Sequence, residues 1–112
     1  MTRSTNRYPL LAGGFVLLAA LSAQAQTPAG SAEKGKQLTY TCQGCHGVTG
    51  YKNAYPTYSV PKITGQSAEY IANALLEYRK GTRKHPTMQA QAQSFSEQDI
   101  ADIAAYLSSL KK

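Results

Sequence analysis

Cys42-Gln43-Gly44-Cys45-His46 is the stretch on which the reading of this chain turns. Two thiols three positions apart, with an imidazole on the next residue, make the C-x-x-C-H pattern of covalent haem attachment. The chemistry accounts for the spacing. Both sulfurs can form thioethers to the two vinyl groups on one porphyrin edge, and His46 then projects its ring beneath the macrocycle, where it can bind iron. Gly44 leaves the turn between the thiols uncrowded. Other uses of two cysteines fit less well. A redox dithiol wants a βαβ setting, which the helical pattern described below lacks. A disulfide across so short a loop would restrict the unfolded chain very little. A structural zinc site needs a second pair of ligands, and beyond residue 25 the only other histidine is His85.

Upstream, Arg3 and Arg7 form a positive segment with no acidic residue, an apolar run follows from Leu10 to Leu21, and Ala23-Gln24-Ala25 reads as small-x-small. That order predicts a secretory signal peptide over residues 1–25, cleaved near Ala25. The rival is an uncleaved membrane anchor. The run is short and holds Gly13 and Gly14, whereas a spanning helix needs ~20 mostly apolar residues. With no cysteine near the cleavage point, a lipid anchor is not expected either. The expected location is therefore periplasmic, with no membrane span after cleavage. Residues 26–30 then form a flexible lead-in, and residues 31–112 a single domain.

A domain of this size builds a modest core and often needs a staple. A buried, largely apolar porphyrin would supply one. The formal net charge of +6 over 112 residues falls once Arg3 and Arg7 leave with the signal peptide. What remains is mildly basic, well short of a nucleic-acid binder, and suits transient docking on an acidic protein surface.

Three helices are legible in the pattern. The first starts at Ser31, an N-cap with Glu33 in the first turn, and runs toward Thr39. The second starts after Ser67, carries Ile71, Leu75 and Tyr78 at helical spacing, and ends at Gly81 behind Arg79 and Lys80. The third is the clearest. Ser96 and Asp99 make a capping-box pattern flanked by Phe95 and Ile100, and Ile100, Ile103, Ala104, Leu107 and Leu110 give one apolar stripe. Gly44 to Gln66 and Thr82 to Ser94 show no sustained alternation, so both are expected as loops and no sheet is expected. Loops this long in a small domain need something to wrap around.

Beyond residue 25 the chain has one methionine, Met88, in Lys84-His85-Pro86-Thr87-Met88. Histidine–methionine ligation is an established haem arrangement that raises the reduction potential. Met88 lies on no apolar stripe, so a core gap-filling role explains it poorly. It is the expected second axial ligand opposite His46. His85 competes for the same role and would lower the potential; its other reading is an exposed loop residue. Arg79, Lys80, Arg83 and Lys84 cluster just before Met88. They are read either as the docking surface for an acidic redox partner or as a solvated charged patch.

With these residues in view, the chain from residue 26 onward resembles class I c-type cytochromes, the small mono-haem bacterial members and the single lobes of di-haem ones. The resemblance rests on Glu33-Lys34-Gly35-Lys36, Cys42 to Gly47, Pro61-Lys62-Ile63-Thr64-Gly65-Gln66, the Tyr70 to Gly81 helix, Met88, and Asp99 to Leu107 with Ala-Ala-Tyr-Leu at its end. It implies an all-α domain, three main helices and long loops wrapped around one covalently bound haem c. The terminal helices would cross beside the haem, with Gly35 permitting close contact and Tyr106 and Leu107 packing across. It further implies that the Pro61 carbonyl accepts the second ring N–H of His46 and that Ile63 packs on the porphyrin. Two features depart from the pattern. Many relatives carry an aromatic three residues before the first cysteine, where this chain has Thr39, with Tyr40 one position later. Tyr51, Tyr55 and Tyr58 crowd one loop and are read as rings packed on the haem edge, or else as a docking surface.

The expected function is electron transfer, with haem held by Cys42, Cys45, His46 and Met88 and no catalytic residue. A free shuttle between redox partners is one form of it; a haem-bearing subunit of a larger oxidoreductase is another. A haem enzyme or gas sensor would need a labile sixth ligand.

Overall fold

The structure is a computed structural model that describes residues 28–49 and 60–111. The expected signal peptide and the tyrosine-rich Tyr51 to Tyr58 loop lie outside the described residues. Five helices follow in order: α1 (Ala32–Leu38), α2 (Tyr40–His46), α3 (Ala68–Lys80), α4 (Pro86–Gln93) and α5 (Glu97–Ser109). Among the described residues there is no strand. None of these helices is long and apolar enough to cross a membrane.

The core is built on α5. Ser96 Oγ accepts the Asp99 N–H at 3.1 Å, and Asp99 Oδ2 accepts the Ser96 N–H at 2.9 Å, closing the expected capping box. The stripe then goes inward. Ile100, Ile103, Ala104 and Leu107 are buried with Ile71 and Ala72 of α3 and with Val48, and full burial of each large aliphatic side chain contributes about 1.5–3 kcal/mol. Helix α3 is capped as its sequence predicts, by Ser67 Oγ on the Tyr70 N–H at one end and by left-handed Gly81 at the other.

Helix α1 crosses α5 at a glycine. Gly35 faces the backbone of Asp102 and the β-carbon of Tyr106, with no room for a side chain. The Ser31 N–H at the start of α1 donates to Asp102 Oδ1 at 2.7 Å, and the Gln98 side-chain amide donates to the same oxygen at 3.0 Å. Residues 28–30, expected as part of a free lead-in, lie along α5 as well. Gly30 packs on the Ala101 carbonyl, and the Gln98 amide reaches Ala29 O at 3.0 Å.

Two helices reach into stretches expected as loop. The haem-attachment motif lies in α2, which follows α1 after Thr39 and takes in Gly44 to His46, the start of the stretch expected as loop from Gly44 to Gln66. Pro86–Gln93, inside the stretch expected as loop from Thr82 to Ser94, forms α4. Proline stands at its first position, where the missing N–H costs nothing, and Met, Gln and Ala are all good helix formers. Its apolar residues do not line one face, which is why the periodicity did not reveal it.

Candidate cofactor site

Helix α2 explains the motif's spacing in three dimensions. Positions i, i+3 and i+4 share one helix face, so Cys42, Cys45 and His46 point the same way and line the same cavity. Gln43 and Gly44 do not line it, and Gly44 looks into open space. Immediately after His46 the chain turns at Gly47, whose φ of 62° is a left-handed conformation that favours glycine. Its N–H closes on the Gln43 carbonyl at 2.9 Å.

The cavity is about 470 Å³, within the size range of small-molecule and cofactor sites. Cys42, Cys45 and His46 form one wall, and Pro61 and Ile63 of the following loop continue it. Leu75 and Tyr78 of α3, Met88 and Gln91 of α4, and Ile103 and Leu107 of α5 complete it. The four residues expected to hold a cofactor are thus brought together, from two short helices whose His46 and Met88 stand 42 positions apart in the sequence.

His46 is oriented by a backbone oxygen. Its Nδ1 lies 2.8 Å from the Pro61 carbonyl. A carbonyl can only accept, so Nδ1 carries the proton and Nε2 is left bare. This is the bond the resemblance implied. Burial pushes the Cys42 thiol up, with the Thr41 side chain working against this and the neighbouring Cys45 adding to it. No disulfide joins Cys42 to Cys45.

Met88 is half-buried in the first turn of α4 and lines the cavity. The His85 ring also borders the cavity, yet its Nδ1 is engaged: it accepts the Met88 N–H at 3.3 Å as the N-cap of α4. His85 is the exposed loop residue that the sequence allowed, with the added role of capping the helix that follows it. Histidine is not among the favoured N-cap residues, so the sequence offered little sign of it.

The four basic residues separate. Lys80 and Lys84 are exposed and Arg79 is half-buried. Arg83 is half-buried as well, with its guanidinium 5.0 Å from the centre of the Tyr78 ring, and it borders the cavity. A hydrogen bond to the Tyr70 side chain raises its pKa, desolvation working the other way and Tyr78 adding to the rise. The Tyr78 ring meets the His85 ring edge-on, centroids 6.4 Å apart. No pattern of charge in the sequence distinguished Arg83 from its neighbours.

Comparison with known proteins identifies the family. The family model described as Cytochrome c matches residues 32–111. Cytochrome c-554(548) of Halomonas halodenitrificans is 46% identical over 84 residues, covering 72% of this chain and 98% of that protein. The cytochrome subunit of sulfide dehydrogenase from Chlorobaculum tepidum is 34% identical over 79 residues, covering 70% of this chain and 68% of that one. Among solved structures, reduced recombinant cytochrome c4 from Pseudomonas stutzeri superposes with a TM-score of 0.64 at 36% identity, over 74% of this chain and 47% of that chain. This chain therefore spans about half the length of cytochrome c4.

Proposed function

The chain belongs to the cytochrome c family, as a class I c-type cytochrome that carries electrons and is not an enzyme, and from that premise we propose that it holds a single haem c through Cys42, Cys45, His46 and Met88. The observation that carries the assignment is the cavity with Cys42, Cys45 and His46 on one helix face and Met88 on another helix, all bordering the same space. Covalently bound haem c is a property of the family. The residues present fit it. Each thiol would add its S–H across a vinyl double bond, sulfur to one carbon and hydrogen to the other, with no oxidant needed. His46 offers a bare Nε2 because Pro61 occupies the other nitrogen. Met88 offers a thioether from the first turn of α4, a neutral ligand that favours the ferrous state and raises the potential.

When bound, the haem supplies a one-electron iron couple inside an apolar wall. His46 and Met88 would both hold the iron, so these two side chains would keep a substrate from it, and the chemistry the bound group would supply is one-electron transfer. We place the protein in the periplasm, with residues 1–25 removed near Ala25 and residues 31–112 as the cytochrome domain. Lys80 and Lys84, with Arg79 and Arg83 beside them, offer positive charge to an acidic redox partner. A second reading is a haem-bearing subunit of a larger oxidoreductase; the similarity to a protein named as the cytochrome subunit of sulfide dehydrogenase favours it. Co-purification with a stable partner from the periplasmic fraction would select that reading.

The test is the optical spectrum of the exported protein in both oxidation states, with the alkaline pyridine derivative. Low-spin iron, a weak red charge-transfer band in the ferric form and a haemochrome of the two-thioether type are expected. Met88→Ala should abolish the red band, and Cys42→Ala or Cys45→Ala should shift the haemochrome to that of one remaining vinyl group. High-spin iron that binds carbon monoxide readily in the unaltered protein would overturn the assignment of Met88.

A further inference from the structure

We propose that His85 is a positioning residue for Met88, holding the methionine's backbone so that its thioether stays on the iron; this rests on the reading of Met88 as axial ligand. Met88 is the third residue of α4, and the first N–H groups of a helix have no partner within it. Its amide is instead bonded to His85 Nδ1 at 3.3 Å. The imidazole that accepts this bond is itself set against the Tyr78 ring, edge-on with planes at 82°. Tyr78 belongs to the last turn of α3, so one side chain joins the end of α3 to the start of the helix that carries Met88.

Serine, aspartate or asparagine would cap α4 as well, but each is too short to pack on Tyr78 at the same time. The bond also decides what His85 cannot do. With Nδ1 accepting, the proton sits on Nε2, so the ring offers no bare nitrogen to the iron while the cap is made. The residue that competes with Met88 in the sequence supports it in the fold.

The test compares three variants of the holoprotein, His85→Ala, His85→Asn and Ser67→Ala, by titrating the ferric form with cyanide and following the red iron–thioether band. In His85→Ala the apparent constant for displacement of the thioether should rise about 3- to 30-fold, the range that corresponds to the loss of one helix cap. His85→Asn restores a cap and should lie between His85→Ala and the unaltered protein. Ser67→Ala removes the cap of α3 and lowers stability without moving the displacement constant. Equal constants for His85→Ala and Ser67→Ala, or for His85→Ala and His85→Asn, would overturn the proposal. A second measurement needs no variant: the Met88 amide of the unaltered holoprotein should be protected from hydrogen exchange, and free exchange there overturns the proposal by itself. If the red band is absent before any substitution, the axial assignment fails instead, and the amide measurement still reports on the His85 bond.

Discussion

Gly35 lies directly against the backbone carbonyl of Asp102, and a β-carbon added to it would fall 2.8 Å from the Tyr106 β-carbon as well as on the carbonyl itself. Two effects of Gly35→Ala oppose each other. Alanine in a helix interior is favoured over glycine by about 1 kcal/mol. The obstacle, however, is the backbone of α5, which cannot swing aside like the end of a long side chain, and overpacking of this kind costs about 1–3 kcal/mol. The clash should win. Denaturant titration of the holoprotein is expected to show a lower midpoint, and a Gly35→Ala variant of equal or greater stability would mean the two helices can separate at no cost.

Asp102 gives the same helix crossing a pH dependence. Its side chain is 1% exposed, Oδ2 has no partner, and Oδ1 accepts from Ser31 and Gln98. The Ser31 N–H, then the Gln98 amide, hold its carboxyl below the ordinary aspartate range. Folding thus favours the ionised form. The stabilisation is complete above the ordinary value of ~4 and is lost as pH falls through the lower folded value. Asp102→Asn carries no titrating group at this point. The stability difference between the two proteins should shrink on acidification below pH ~4, measured by thermal unfolding at fixed ionic strength. A difference that stays constant over that window would show that the charge contributes nothing.

Thr39 occupies the position where the resemblance leads one to expect an aromatic ring. It is fully buried at 0% exposure, with Oγ1 donating to the Lys36 carbonyl at 3.0 Å, while Tyr40 is 78% exposed. The core here is therefore closed around a small residue. Thr39→Phe should cost about 1–3 kcal/mol through overpacking, and Tyr40→Ser should stay within about 0.5 kcal/mol, as exposed substitutions do. Chemical denaturation of both variants checks the contrast; a Thr39→Phe protein as stable as the parent would point to unfilled space at the crossing.

What the sequence disclosed tracks how local the cause is. Helix α5 was legible because its cap, staple and stripe all lie within Phe95 to Leu110. The haem motif was legible because one helical turn contains it, although its own helix was not anticipated. Helix α4 was hidden because Met, Gln and Ala spread around it without a stripe, and because its cap is an imidazole. The contact of Gly30 with Ala101 and the stacking of Arg83 on Tyr78 depend on where distant or adjoining segments turn, and nothing in the pattern specified them. The Pro61 carbonyl on His46 was anticipated through resemblance alone, since any residue has a carbonyl.

The separation of Arg83 from its basic neighbours leads to a prediction that tells docking from tuning. Lys80 and Lys84 are exposed, so they act on whatever approaches from solvent. At ~10 Å in water each would attract a trivalent anion by about 1 kcal/mol before screening. Oxidation of the reduced protein by ferricyanide should therefore slow about 3- to 10-fold in the Lys80→Gln, Lys84→Gln double variant at low ionic strength. The effect should vanish near 1 M salt, where the screening length is ~3 Å, and reverse sign with a cationic oxidant. Arg83 borders the cavity instead. Removing its charge takes away a cation that disfavours the more positive, oxidised iron, so Arg83→Gln should lower the reduction potential and leave the salt slope close to that of the parent. Voltammetry and stopped-flow rates on the same preparations separate the two. If Arg83→Gln flattens the salt dependence and leaves the potential unmoved, Arg83 belongs to the docking surface with the lysines, and its stacking on Tyr78 only fixes where that surface presents its charge.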